Sequence, residues 1–143
     1  EPEDRKDFEQ ARKPFSATIL IVEDEQPVRG AVERMLREEG YSVLSAVNGA
    51  EALDIWESSS ASIDLLITDL VMPEIGGLEL AEVCRRHRRD LPVIFMSGFT
   101  EAAALKSEVF SESEAFLEKP FHREMFLEKV REVLAAQTTK SPQ

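Results

Sequence analysis

The sequence predicts a doubly wound α/β fold, in which five parallel strands form one sheet with helices on both faces. Two observations support this fold class: continuous apolar runs recur along the chain, and helical stripes of apolar residues alternate with them. Runs that are apolar throughout are typical of strands covered on both faces. Right-handed crossovers between successive strands then place helices on both sides of the sheet. The 143 residues are enough for one such domain.

The strands are predicted at the apolar runs, of which three are strong and two are short. A sheet built from them in chain order would be parallel, because a helical segment separates each pair. The strong runs are 19–22, 63–68 and 92–96, and the short runs are 41–46 and 115–117.

Helices are predicted where apolar residues recur every three or four positions. The clearest stripe follows the first strand, where Pro27 suits the first helical residue and Gly40 suits the end of the helix. A second stripe begins at Phe126 near the C-terminus. Weaker patterns predict helices at 49–57, 78–87 and about 100–107.

The composition indicates an acidic globular domain. Asp and Glu number 28 against 17 Lys and Arg, which gives a net charge of −11. This charge disfavours nucleic acid and direct membrane contact, since phosphates would repel the chain. The basic run at 85–89 is interpreted as a solvated helix end, where positive charge is favourable. The single cysteine, Cys84, excludes an internal disulfide, and we expect a cytoplasmic location.

We expect three segments along the chain. Residues 1–17 are predicted to be a polar N-terminal arm, 18–135 the folded domain and 136–143 a polar C-terminal tail. The polar arm and the missing initiator Met lead us to expect a domain cut from a longer protein.

Polar side chains follow four of the five predicted strands. Glu23 and Asp24 follow the first strand, and Asp69 ends the third. Ser97 ends the fourth, and Lys119 follows the fifth. Because ligands of open α/β sheets bind at the carboxyl ends of the strands, we expect these groups to meet in one site.

This set of residues predicts phosphoryl chemistry. Clustered carboxylates need a cation, and an all-oxygen set suits Mg²⁺ better than zinc or copper. A metal ion would let a phosphoryl group approach the acids. Lys119 and Ser97 could hold its oxygens, and Asp69 could accept it covalently. The residues therefore predict Mg²⁺-dependent phosphorylation of Asp69.

Four segments resemble the motifs of receiver domains of two-component response regulators: ILIVEDE, ITDLVMPEIGGLEL, IFMSGF and FLEKPF. They occur in the family's order within residues 18–135. The resemblance implies a flavodoxin-like sheet in the order 2-1-3-4-5. It also implies that Asp69 takes its phosphoryl group from phosphohistidine on a histidine kinase or a histidine phosphotransfer domain.

The same resemblance implies the metal ligands and the phosphate-binding residue. Asp24 and Asp69 would bind Mg²⁺ directly, Glu23 through water, and Val71 through its backbone carbonyl. Lys119 would bind the phosphoryl group. The family often has Asp where this chain has Glu23, a longer side chain that should keep metal binding.

A switch is also implied. Ser97 and Phe116 would move on phosphorylation and change the surface formed by the fourth predicted helix (100–107), the fifth strand and the fifth helix, where a downstream protein would bind. These residues are Thr and Tyr in many family members, and neither difference removes the chemistry. The bond between Lys119 and Pro120 is expected to be cis.

Two other functions compatible with this fold class are disfavoured. A phosphatase of the haloacid-dehalogenase type needs a second acid two residues after its nucleophile, where this chain has Val71. A flavin-binding flavodoxin-like protein needs a phosphate-binding loop after its first strand, and the acids at 23–25 would repel the phosphate.

The setting of the domain follows from the same motifs. FMSGFTEAA and FLEKPF are most similar to the C-terminal receivers of hybrid sensor histidine kinases, and only a short tail follows residue 135. We expect such a receiver, tethered to a membrane only through its parent kinase. It would not be a classical enzyme on its own, because it would catalyse only its own phosphorylation and dephosphorylation. The alternative is a free-standing regulator that shuttles phosphoryl groups or acts by protein contact.

Overall fold

Five parallel strands form one sheet in the order β2-β1-β3-β4-β5, which confirms the predicted fold class. The computed structural model describes residues 17–98 and 115–140. The third strand begins two residues later than predicted, because Asp64 instead pairs with Thr18 at the start of β1. The Asp64 N–H donates to the Thr18 carbonyl, and the Asp64 carboxylate accepts from the Thr18 N–H. The strands are β1 (Thr18–Val22), β2 (Ser42–Ala46), β3 (Leu65–Asp69), β4 (Val93–Ser97) and β5 (Ala115–Glu118).

Helices connect or follow these strands. The predicted helix at 100–107 lies outside the described residues. No helix within 17–98 or 115–140 has the length and hydropathy needed to cross a membrane. The helices are α1 (Gln26–Glu38), α2 (Gly49–Ser59), α3 (Gly77–His87) and the C-terminal helix (Arg123–Lys140), with a short 3₁₀ turn at Ser60–Ser62.

Two hydrophobic clusters cover the two faces of the sheet. Successive strand residues point to opposite faces, so each strand contributes apolar side chains to both clusters. This explains why the strands are apolar throughout instead of alternating with polar residues. One cluster contains Ile19, Ile21, Ile67, Ile94 and Met96 with Val32, Leu36, Phe126 and Val130 of α1 and the C-terminal helix. The other contains Leu20, Val22, Leu66, Val93 and Phe95 with Ala52, Trp56, Leu80, Ala81 and Cys84 of α2 and α3.

Helix α1 ends at the glycine that the sequence indicated. Gly40 has a φ of 99°, and its N–H donates to the Arg37 carbonyl at 3.0 Å. The next N–H, of Tyr41, donates to the Leu36 carbonyl at 3.1 Å. Two such bonds around a left-handed glycine are a Schellman motif, which stops the helix and starts the chain toward β2. At the other end Pro27 is the second helical residue, where an N–H is also dispensable.

The register of the sheet brings distant segments to one edge. Val22 pairs with Thr68, so the residues that follow β1 lie beside Asp69. Asp69 in turn pairs with Met96, and Ser97 pairs with Glu118. Because all strands run in the same direction, the residues at their carboxyl ends share this edge.

The basic run at the end of α3 is only partly solvated, which corrects the prediction. Arg88 donates through Nη1 to the carbonyls of Ser60, at 3.0 Å, and Ile63. Arg85 donates through Nε to the Leu91 carbonyl at 3.0 Å. Arg89 of the same run is exposed. Two of the arginines therefore attach α3 to neighbouring loops, which a pattern of charges along the sequence cannot show.

Arg88→Ala should lower the free energy of unfolding by about 1.5–3 kcal/mol, because hydrogen bonds from a charged donor contribute about that much. Arg89→Ala removes an exposed side chain at the next position and should change it by less than about 0.5 kcal/mol. Urea denaturation of both variants measures the difference. Equal effects would contradict the anchoring role of Arg88.

Candidate functional site

Three carboxylates meet at the carboxyl edge of the sheet. One oxygen from each of Glu23, Asp24 and Asp69 lies within 4.8 Å of the others. Glu23 is fully buried and Asp69 is 4% exposed, whereas Asp24 is exposed to solvent. The loop after β1 and the end of β3 supply these groups, as the register of the two strands requires.

Lys119 joins two of these carboxylates. Its Nζ lies 2.7 Å from Oδ1 of Asp69 and 3.0 Å from Oε1 of Glu23. The backbone N–H of Lys119 donates to the Ser97 carbonyl at 2.8 Å, which extends the pairing of β4 and β5 to the site. The Lys119–Pro120 peptide bond is cis. Lys119, which follows the edge strand β5, thus reaches the acids that follow β1 and end β3.

Burial and neighbouring charges shift the pKa values of two groups at the site, Asp69 and Lys119. Burial raises the pKa of Asp69 to about 7, the Lys119 ammonium opposes that rise, and the nearby Glu23 carboxylate adds to it. Burial lowers the pKa of Lys119, but the adjacent carboxylates of Asp69 and Glu23 outweigh this and raise it above the ordinary value. Lys119 therefore stays charged, and its ammonium lies against two of the three clustered acids. A divalent cation would relieve the remaining repulsion.

Three of the four polar groups of Glu23 make hydrogen bonds, and the fourth, Oε1, has only an ion-pair contact with Lys119. Its Oε2 accepts from the N–H of Glu25 at 3.0 Å, and its Oε1 faces Lys119. Its N–H donates to the Ala46 carbonyl at 3.1 Å, and its carbonyl accepts from Arg29 Nη1 at 2.9 Å. The sequence motifs did not indicate that Arg29 would contact this site. The available signal was a basic residue near the N-terminus of a helix, where the helix dipole disfavours positive charge.

Ser97 brings a buried hydroxyl to the same edge. The residue is 2% exposed, and its Oγ has no hydrogen-bond partner among the described residues. An unpaired buried hydroxyl costs about 1–3 kcal/mol, so a group at this edge that accepts or donates a hydrogen bond would be favourable. No group in the described ranges 17–98 and 115–140 therefore competes with a ligand for this hydroxyl.

The other two predicted residues, Val71 and Phe116, are apolar and do not belong to the carboxylate cluster. Val71 lies two residues beyond Asp69 and is 56% exposed. Phe116 is partly buried on β5, and its ring centre lies 6.0 Å from that of Phe95 on β4. Neither side chain carries a charged group, so neither adds to the charge of the site.

Gly77 allows the backbone of Asp69 to lie where it does. A Cβ at Gly77 would overlap the Asp69 carbonyl oxygen and lie 3.1 Å from Cα of Leu70. The N–H of Gly77 donates to the Leu70 carbonyl at 2.9 Å. Gly77 is the first residue of α3 and Gly76 is its N-cap. Close packing of the helix start against the strand end requires a glycine here.

The comparisons with known proteins agree with this architecture. A family model described as the response regulator receiver domain matches residues 19–131. The chain belongs to the receiver domain family. The predicted resemblance is therefore confirmed.

Two curated relatives of this receiver domain are a sensor kinase and a response regulator. The chain is 38% identical over 122 residues to the sensor kinase CckA of Brucella abortus, covering 85% of this chain and 13% of that protein. It is 34% identical over 120 residues to the response regulator MprA of Mycobacterium tuberculosis, covering 84% of this chain and 51% of that protein. The chain thus spans about half or less of the curated relatives it matches.

Solved receiver domains share the fold. The receiver domain from the hybrid histidine kinase CckA has a TM-score of 0.71 and 39% identity, with 82% of this chain and 99% of that chain covered. The response regulator TrrA from Thermotoga maritima, solved in complex with Mg(2+)-BeF, has a TM-score of 0.71 and 33% identity, with 82% and 98% covered.

The donor set of this receiver domain fits a hard metal ion. All three clustered side chains offer carboxylate oxygens, the ligands that Mg²⁺ and Ca²⁺ prefer. Two of the three are buried, and a cation there would offset their desolvation. The cluster could therefore hold a metal ion.

Gly77→Ala should lower the free energy of unfolding by about 1–3 kcal/mol, because the added methyl group forces the Asp69 backbone to move. Gly30→Ala is the matched control, because a Cβ at Gly30 meets nothing within 4 Å. In the interior of α1 it should stabilise the domain by about 1 kcal/mol. Chemical denaturation of both variants checks the opposite signs, and a neutral Gly77→Ala would refute the close-packing role.

Proposed function

We propose that this receiver domain accepts a phosphoryl group on Asp69 from phosphohistidine, on a histidine kinase or a histidine phosphotransfer domain, in a Mg²⁺-dependent reaction. The observation that best supports this is the placement of Lys119 Nζ at 2.7 Å from Oδ1 of Asp69, at an edge that also carries acids for a metal ion. The family match supports the choice of chemistry.

Asp69 is the proposed nucleophile. One of its carboxylate oxygens forms a bond to phosphorus while the bond from phosphorus to the imidazole nitrogen breaks, and the electron pair of that bond stays on the nitrogen. Lys119 and Ser97 are the proposed donors to the phosphoryl oxygens. Ser97 suits this role because its buried Oγ has no other partner among the described residues.

The proposed ligands of Mg²⁺ are Asp24, Asp69 and the Val71 carbonyl, with Glu23 acting through water. When bound, Mg²⁺ supplies positive charge that offsets the negative phosphoryl oxygens during transfer. The contacts of Glu23 support its indirect role, because its two carboxylate oxygens already face Lys119 and the Glu25 N–H. Asp24 is exposed and therefore able to meet a hydrated ion.

Phosphorylation is proposed to change a surface for a downstream protein. A phosphoryl group adds about −1.5 to −2 charge beside Ser97 and Lys119, and should draw both toward it. Phe116 would turn inward as Ser97 moves, which alters the face that contains β5 and the C-terminal helix. The predicted helix at 100–107, the third part of that face, lies outside the described residues.

The proposed setting is the receiver of a hybrid histidine kinase in the cytoplasm. Similarity to the sensor kinase CckA and to its receiver structure supports it. A free-standing response regulator is the alternative. The upstream coding sequence distinguishes them, because a kinase ATP-binding domain before Glu1 would support the first and a nearby start codon the second.

Acetyl phosphate should phosphorylate the domain in the presence of Mg²⁺, and Asp69→Asn should abolish the modification because the amide cannot attack phosphorus. Asp54→Asn removes an exposed carboxylate on α2 and should leave labelling unchanged. Intact-protein mass spectrometry with and without EDTA measures the added phosphoryl group. Labelling of Asp69→Asn at the wild-type level would exclude Asp69 as the acceptor.

Phe116→Ala should keep the phosphorylation of Asp69 but lose the change at β5 and the C-terminal helix, since no ring remains to turn inward. Phe116→Tyr, which supplies the aromatic residue common in the family, should retain that change. Amide NMR spectra with and without acetyl phosphate measure both. Shifts along the C-terminal helix that persist in Phe116→Ala would contradict a switching role for this ring.

A further inference from the structure

We propose that Arg29 is a positioning residue for the metal-binding carboxylates, because it holds the peptide that joins Glu23 to Asp24. This inference rests on the proposed function, in which those acids bind Mg²⁺. Nη1 of Arg29 donates to the Glu23 carbonyl oxygen at 2.9 Å in a partly buried position. The guanidinium therefore contacts the acidic loop through its backbone.

This contact completes the restraint of Glu23. Three other contacts, to Ala46, Glu25 and Lys119, hold its N–H and its two carboxylate oxygens. Arg29 makes the fourth contact, to the Glu23 carbonyl, which belongs to the peptide bond with Asp24. The backbone N–H of Arg29 also donates to the Glu25 carbonyl at 2.9 Å, so the residue is anchored at both ends of this short loop.

Asp24 depends on this restraint more than Glu23 does. In the described part of the chain, no hydrogen bond or ion pair holds its exposed carboxylate. Its direction is therefore set by the backbone. The Glu23 carbonyl and the Asp24 N–H share one planar peptide unit, so fixing the carbonyl oxygen fixes the plane from which Asp24 projects. Arg29 thereby orients a proposed Mg²⁺ ligand without touching its side chain.

The charge of Arg29 and its positioning role predict opposite effects on Mg²⁺ affinity when the residue is removed. A positive charge near the site repels a cation, so its loss alone would tighten Mg²⁺ binding. Loss of positioning would weaken it. Residues that orient metal ligands typically change metal affinity by about 10–100-fold, whereas a single charge in a solvated region has a smaller effect. The sign of the change therefore separates the two roles.

The experiment compares three variants of the 143-residue chain with the wild type. Arg29→Met removes the donor and should raise the Kd for Mg²⁺ about tenfold in calorimetric titrations with MgCl₂. Arg29→Lys keeps a charged donor and should recover part of the affinity. Arg34→Met removes an exposed positive charge from the same helix and should leave the Kd for Mg²⁺ within about twofold of the wild-type value.

Labelling with acetyl phosphate gives a second measurement. In Arg29→Met the half-saturating Mg²⁺ concentration should rise about tenfold while the maximal rate at saturating Mg²⁺ changes little, because Asp69 and Lys119 are intact. A purely structural role would lower the melting temperature without raising that concentration selectively.

The Kd values for Mg²⁺ test the positioning role of Arg29 separately from the proposed function. An unchanged or lower Kd for Mg²⁺ in Arg29→Met overturns the positioning role while the proposed function stands. Absence of Mg²⁺ binding by the wild type overturns both proposals. A raised Kd that Arg29→Lys partly restores and Arg34→Met does not reproduce supports the inference.

Discussion

The contact of one lysine with two buried carboxylates is the interaction on which the rest of the site depends. Lys119 lies within 3.0 Å of both Glu23 and Asp69, which are otherwise removed from water. Burying two acids together is unfavourable, and an ammonium between them offsets part of the cost. The remaining negative charge is what makes the edge suited to a cation and, beside that cation, to a phosphoryl group.

The sheet makes this contact possible by bringing three chain segments together. β1 and β3 are neighbours, so Glu23 lies beside Asp69, and β5 delivers Lys119 from the far side of β4. Hydrophobic clusters on both faces fix the strands that end at the site. Close packing at Gly77 restrains the backbone at Asp69. The contact from Arg29 restrains the loop after β1 at the Glu23 carbonyl. The geometry of the site is thus a consequence of rigid strands with restrained ends.

Much of the fold and the grouping of polar residues at one edge of the sheet could be predicted because their signals are local. Apolar runs specify buried strands, Gly40 marks the end of α1, and polar residues at strand ends indicate the edge. The errors concern contacts between distant segments. Arg88 belongs to a run that is typical of a solvated helix end, yet it donates to carbonyls of the segment between α2 and β3. Such contacts depend on which loops become neighbours, which periodicity does not encode.

The sequence by itself determined the fold class, the family and the set of side chains that could share a site, because each follows from patterning and motif spacing. The tertiary structure decided how those side chains are paired. It placed Lys119 between Glu23 and Asp69, left the Ser97 hydroxyl buried without a partner in the described residues, and brought Arg29 to the Glu23 carbonyl. These are matters of distance and direction between segments, and they become fixed only when the strands pair and the two faces of the sheet are packed.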